Sequence, residues 1–324
     1  MCNGKNRRKQ EMKRKKVFWK AMILLLAMII PRFSGEVTGK EVNNRDNVAV
    51  RVVTSIEPLS FFVKRVGGEH VDVTVMVPPG ANPHTYDPKP SQMVSLGDAQ
   101  VFVEAGSGIE FELDWMKKFR DLNPKMVICN ASKGFVPLSM PSHSSGHDHA
   151  HDHSHGHSHG HEGHTDPHFW LSPKNGALAA ANIEKVLASV DPSNAAAYAQ
   201  NRKALEGALE ALSVEISGTL ADMKNRAFMV FHPAWGYFAD EFNLRQIAVE
   251  RDGKEMTPQS LSEFIREAKK LGIRVVFVSP AFSSLQAETI AREIGGVTAT
   301  ADPLSGKYIE NLRRVADAFA ESMR

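Results

Sequence analysis

The sequence predicts an α/β protein of two lobes, each a parallel sheet covered by helices, joined by one long rigid helix. Three observations carry this. Short β-branched runs alternate with helical patterns on both sides of the chain's middle. Each helical pattern is punctuated by glycine or proline. An unusually long helical period separates the two halves, as a spine between lobes would. A length of 324 residues suffices for two ordinary domains.

In order, "VAVRVVTS" (Val48 to Ser55) reads as the first strand. Leu59, Phe62, Val63 and Val66 then share a helical face, stopped by Gly67 and Gly68. "VDVTVMV" (Val71 to Val77) is a second strand, and "AQVFVEAG" and "KMVICN" a third and fourth. Phe111, Trp115 and Phe119 recur between these at helical spacing. The βαβα order argues a parallel sheet. Ile183, Val186, Leu187 and Val190 mark a further helix. "DPSN" opens the next, with Asp191 as cap and Pro192 in the first turn. From Tyr198 through Leu205, Leu209, Leu212, Ile216 and Leu220 the period continues to Lys224, a helix of about 33 residues and about 50 Å. The second half then repeats the first in kind. "RAFMVFH", "RQIAVE", "IRVVFVSP" and "GVTATAD" are strands; "PQSLSEFIREAKKLG", "LQAETIAREIGG" and "SGKYIENLRRVADAFAESMR" are helices. The expected division is residues 40–190 for the N-terminal lobe, 191–224 for the linking helix and 225–324 for the C-terminal lobe.

Residues 1–39 stand apart. "KNRRKQEMKRKK" is a positive n-region, "AMILLLAMII" (Ala21 to Ile30) a short apolar h-region, and "VTG" (Val37 to Gly39) a place for signal peptidase, so a secreted, periplasmic protein is expected. These residues hold ten Lys and Arg against two Glu, which leaves 29 basic and 35 acidic residues in the remainder, a net of −6. A mildly acidic body argues against a nucleic-acid partner. No Cys follows the h-region as a lipid attachment point, and Cys129 alone lies beyond it, so the exported chain forms no internal disulfide. "MVIC" reads as a strand end with a core thiol.

From about residue 142 to 166 the pattern breaks into alternating histidine with small, polar or acidic residues. This run, from His143 to His164, lacks apolar periodicity and reads as a flexible insert. His147, His149, His151, His153, His155, His157, His159, His161 and His164 are expected to bind metal weakly, because a tether has no fixed geometry and loses ordering entropy on binding.

Outside the run only His70, His84, His168 and His232 remain. His70 precedes a strand with nothing to distinguish it. His84 follows the second strand, His232 ends a strand, Asp302 ends the last strand, and His168 lies in "DPHFWLSP". Ligands of open parallel sheets bind beyond the strands' carboxyl ends, so these four can face one cleft. Three imidazoles and a carboxylate suit Zn2+, disfavour Mg2+ and Ca2+, and leave Cu2+, Ni2+ and Co2+ open. No HExxH motif and no evident base for a metal-bound water point to a metalloenzyme.

The stretch "TSIEPLSFFVKRVGGEHVDVTVMVPPGANPHTYDPKPSQMVSLGDAQVFVEAG", followed in order by "DPHFWLSP", "FHPAWGYFADEF", "FVSPAFS" and "DPL", resembles the metal-binding proteins of zinc and manganese ABC importers, the ZnuA-like or cluster A-I solute-binding family. The resemblance runs from about Val48 to the C-terminus, apart from the insert. It implies two lobes joined by a single long helix, a metal held between them, and ligand positions on His84, His168, His232 and Asp302. Manganese members usually carry Glu at the third position, so His232 implies zinc. It further implies an extracytoplasmic receptor, not an enzyme, that is monomeric and hands Zn2+ to an inner-membrane ABC permease with its ATPase. A manganese receptor, a metalloenzyme, and an adhesin or metal buffer are the other readings. Two departures stand out. Pro83 occupies the place of an acidic residue found before the first ligand in some zinc members, which puts more weight on Asp302. Ser279 and Ala281 replace a common Glu and Gln, and no metal role is assigned to that loop.

Overall fold

The computed structural model describes residues 49–140, 165–250, 258–282 and 285–324. The expected export signal of residues 1–39 and the histidine run lie outside them.

The first sheet holds β1 (Val50–Thr54), β2 (Val71–Val75), β3 (Val101–Glu104) and β4 (Val127–Asn130). The second holds β5 (Ala227–Val230), β6 (Arg245–Ala248), β7 (Val275–Val278) and β8 (Val297–Thr300). Both are wholly parallel, in the orders β2-β1-β3-β4 and β6-β5-β7-β8, so one topology occurs twice. Central strands are apolar on both faces, as β5 shows with all four residues buried. Helix α1 (Glu57–Gly67) buries Leu59, Phe62, Val63 and Val66 at the spacing of one helical face. It stops where Gly68 turns to φ 59°, a conformation that costs glycine nothing.

Helices α2 (Pro90–Gly97) and α3 (Glu110–Leu122) complete the first lobe, followed by α4 (Pro173–Val190). The linking helix α5 spans Ala195–Thr219. At 25 residues it is shorter than the sequence period suggests, about 37 Å rather than 50. The difference lies at both ends. Asp191 closes α4, Pro192–Asn194 form a 3₁₀ turn, and Asp191 accepts bonds from Asn194 (2.7 Å) and Tyr198 (2.6 Å) instead of capping one continuous helix. Helices α6 (Gly236–Glu241), α7 (Pro258–Lys270), α8 (Leu285–Glu293) and α9 (Tyr308–Ser322) complete the second lobe. None of the described helices is long and apolar enough to cross a membrane.

One core runs through both lobes. It joins Phe62 and Phe102 of the first to Phe228, Phe277 and Phe319 of the second through the buried face of α5. A second core lies between the other face of the C-terminal sheet and α7 and α8, around Met229, Phe264, Val276 and Ile290. Hydrogen bonds stitch the lobes beneath the cleft. The Tyr308 hydroxyl donates to the Trp170 carbonyl (2.5 Å) and Trp170 Nε1 donates to the Pro303 carbonyl (2.8 Å), while Ser213 of the linking helix donates to Glu241 of the second lobe (2.8 Å). Cys129 is a buried free thiol, pushed up to about 12 by its burial.

Candidate metal centre

His84 sits in the loop after β2, where its backbone N–H donates to Asn82 Oδ1 (2.9 Å). His168 begins a 3₁₀ turn, Phe169–Leu171, whose aromatic residues are buried. His232 follows β5, the strand beside which the sheet order reverses, where ligands collect in such sheets. The structure brings these three together: one ligand nitrogen from each lies within 4.8 Å of the others. Asp302, just past β8, does not join that group. Its Oδ1 accepts from the Leu304 backbone N–H (2.9 Å), and its carbonyl accepts from Asn311 Nδ2 (2.7 Å), which fix the turn into α9. His70 lies elsewhere, edge-on to Tyr198 with ring centres 6.0 Å apart.

Each histidine of the triad presents Nδ1 to a carboxylate. Asp166 Oδ1 faces His168 Nδ1 at 2.8 Å, Glu250 Oε2 faces His232 Nδ1 at 2.8 Å, and Glu110 Oε2 pairs with His84 Nδ1. A carboxylate at Nδ1 holds the ring hydrogen there and leaves the Nε2 lone pair bare, the tautomer a metal requires. The Nε2 atoms of His168 and His232 stand 3.3 Å apart. A tetrahedral zinc with Zn–N bonds of about 2.05 Å spaces its ligand nitrogens by about 3.3 Å. Two facing lone pairs repel at that distance unless a cation lies between them, so the geometry suits a metal.

Burial grades the site. The side chains of His168, His232 and His84 are 4%, 9% and 19% exposed, so solvent reaches it on the His84 side. Burial pushes His232 down to about 4, helped by the neighbouring His168 and His84 and opposed by Glu250. It is therefore neutral and free to ligate at ordinary pH. The bond from His84 holds Glu110 below the usual carboxylate range.

Asp166 marks a departure from the sequence reading, which put it at the end of the flexible insert. Thr165 bridges to Ser139, Asp166 donates its backbone N–H to the Leu138 carbonyl (2.8 Å), and its side chain is buried. Its Oδ1 also accepts the His168 backbone N–H (2.9 Å), and its carbonyl accepts the Tyr237 hydroxyl (3.1 Å). Gly236 is required beside it, because any β-carbon there would collide with Asp166 Oδ2. The signal was present in "DPH", an acid two residues before a candidate ligand. Glu110 and Glu250 carried no such local signal. Phe282, on the loop given no metal role, stacks on the His232 ring at 4.3 Å and 20°.

Residues 52–322 match the family described as "Zinc-uptake complex component A periplasmic", ZnuA. The zinc-binding protein AdcA of Streptococcus pyogenes (serotype M6) is 29% identical over 306 residues, covering 93% of this chain but 59% of AdcA, so the chain spans about three fifths of that relative. The high-affinity zinc uptake system protein ZnuA of Brucella abortus is 32% identical over 304 residues, covering 84% of this chain and 91% of the relative. A solved ZnuA deletion mutant with zinc bound is 36% identical, with a TM-score of 0.76 over 85% of this chain and 98% of its own. With the family match spanning both lobes and the relatives carrying the same fold, this chain belongs to the ZnuA family of zinc-uptake solute-binding proteins.

Proposed function

We propose that the protein is an extracytoplasmic, monomeric receptor that captures Zn2+ on His84, His168 and His232 and delivers it to an ABC permease and its ATPase. The observation that carries this reading is the triad: one ring nitrogen from each of three imidazoles converges within 4.8 Å, the Nε2 atoms of His168 and His232 stand 3.3 Å apart, and each ring has a carboxylate at Nδ1. Nitrogen donors favour Zn2+ over Mn2+, which sits low in the Irving–Williams order and prefers oxygen. Asp302 is the candidate for the fourth ligand, a role that would require its carboxylate to give up the Leu304 N–H. The export signal of residues 1–39 puts the receptor where it meets free zinc. The histidine run supplies further, weaker zinc equivalents that gather metal near the cleft.

An enzymatic reading is less well supported. Glu110, Asp166 and Glu250 are engaged with imidazole Nδ1 atoms, so none of the three is free to draw a proton from a metal-bound water. The proposal is tested by zinc titration of the exported chain against a competing chelator. The parent should show one tight equivalent that His168→Ala abolishes while the far-ultraviolet circular dichroism stays unchanged. Tight binding retained in His168→Ala would overturn it.

A further inference from the structure

Each imidazole of the triad is held by one carboxylate, but their aromatic surroundings differ. His168 lies against the buried Trp170 of its own 3₁₀ turn, with ring centres 5.4 Å apart. His232 and His84 have a shared neighbour, Phe282. Its ring lies nearly parallel to His232, with centres 4.3 Å apart and planes 20° from parallel. The same ring reaches His84, across the cleft, with centres 6.2 Å apart. Phe282 therefore spans the two lobes on the side where the site is most exposed, since His84 has the least buried ring of the three.

The loop that carries it is built at the end of β7. The Phe282 backbone N–H donates to the Ser279 carbonyl (3.2 Å) and that of Ala281 to Ser279 Oγ (3.3 Å), with Ser279 itself buried. Ser279 thus uses its polar atoms to shape the turn that presents the ring. A metal lies in the plane of a ligating imidazole, along the Nε2 lone pair. A ring stacked flat on that imidazole flanks the metal position without competing for it. It blocks rotation of His232 about its Cβ–Cγ bond, which the single Glu250 contact resists only at Nδ1. It also replaces water over His232 and beside His84 with an apolar surface, and an apolar shell controls how readily solvent reaches a bound metal.

We infer that Phe282 is a positioning residue of the zinc site, whose ring holds His232 in register with His84 and His168 and keeps additional water out of the metal's coordination shell. The inference rests on the triad being the zinc site. It makes Phe282 a determinant of how long zinc is retained and of its coordination number, although it offers no ligand atom.

The test loads Zn2+ and, separately, Co2+ into the parent and into Phe282→Ala, Phe282→Leu and Phe282→Tyr. Zinc release is timed by trapping with excess chelator, and the Co2+ visible absorption reports coordination number. The parent should show the intense bands of four-coordinate Co2+. Phe282→Ala and Phe282→Leu should release zinc about tenfold faster and show weaker bands of higher coordination. Phe282→Tyr, which keeps the flat ring, should match the parent in both. The Leu variant guards against a simple packing loss, and thermal melting of the apo-proteins verifies that all four fold. If the parent binds one tight metal and the Ala and Leu variants match its release rate and spectrum, the role assigned to Phe282 is wrong. If the parent shows no tight metal that depends on His168, the triad reading itself fails, which is a separable result.

Discussion

Replacing Asp166 with Asn should weaken zinc binding by about tenfold or more while leaving the apo-fold in place. Asp166 Oδ1 accepts two bonds from His168, one from the backbone N–H at 2.9 Å and one from ring Nδ1 at 2.8 Å. The amide of Asn occupies nearly the same volume, so the close approach to Gly236 is preserved. Its oxygen can still accept, but without charge. A bond to an ionised group contributes about 1.5–3 kcal/mol and a neutral one about 0.5–1.5. The ring bond alone therefore loses about 1–1.5 kcal/mol, close to a factor of ten in affinity. Loss of a negative charge beside a dication adds to this, within the range of about 10–100-fold for partners of metal-bound histidines. The assay is competition with a fluorescent chelator, paired with thermal melting of the apo-protein, whose midpoint should fall by no more than a few degrees. Zinc affinity within twofold of the parent would refute the claim that Asp166 prepares His168 for the metal.

Three further outcomes are expected. Replacing His232 with Glu should narrow the preference for Zn2+ over Mn2+ by exchanging a nitrogen donor for oxygen; a competition titration checks it, and an unchanged ratio would count against the metal assignment. Deleting residues 142–164, with Thr165 and Asp166 kept because they are tied to Ser139 and Leu138, should preserve the tight site and remove the weaker zinc equivalents seen by calorimetry. In the intact protein those weak equivalents should vanish below about pH 6, where protons take the imidazole lone pairs. Glu112, buried behind the loop after β3, is raised to about 7 by desolvation while accepting the N–H groups of Ala105 and Gly106. Its folded form therefore holds a proton that the unfolded chain releases near 4.5, so its contribution is fully present below about 4.5 and is lost as pH rises through 7, at most about 3 kcal/mol. Glu112→Gln should flatten that part of the stability–pH curve, measured by denaturant unfolding.

Much of this architecture was legible in the chain because its signals are local. The eight strands and the longer helices declare themselves through β-branched runs and the 3.6-residue period, as the face of Leu59, Phe62, Val63 and Val66 illustrates. Short helices do not span enough turns to show a period, which is why α2 and α6 were invisible. The three histidines that converge in the structure stood out because so few histidines lie beyond the run and because each sits near a strand end or in a recognisable motif. Their carboxylate partners did not. Glu110 is 26 residues from His84 and Glu250 is 18 from His232, and only the parallel crossovers bring each pair together. Glu112 is held inward by two backbone N–H groups of the loop after β3, a contact that no linear pattern marks. Phe282 reads as one more apolar residue of a loop, and its role depends on a stacking geometry that no linear pattern encodes.

The proposed receptor holds one zinc ion between its lobes through the Nε2 atoms of His84, His168 and His232. The most direct test is a crystal structure of the zinc-loaded, exported chain with anomalous data collected on both sides of the zinc absorption edge. One dominant anomalous peak is expected, about 2.0–2.1 Å from all three Nε2 atoms, with Glu110, Asp166 and Glu250 still at the three Nδ1 positions. A dominant peak elsewhere, or one bound through Nδ1 with the carboxylates displaced, would contradict it.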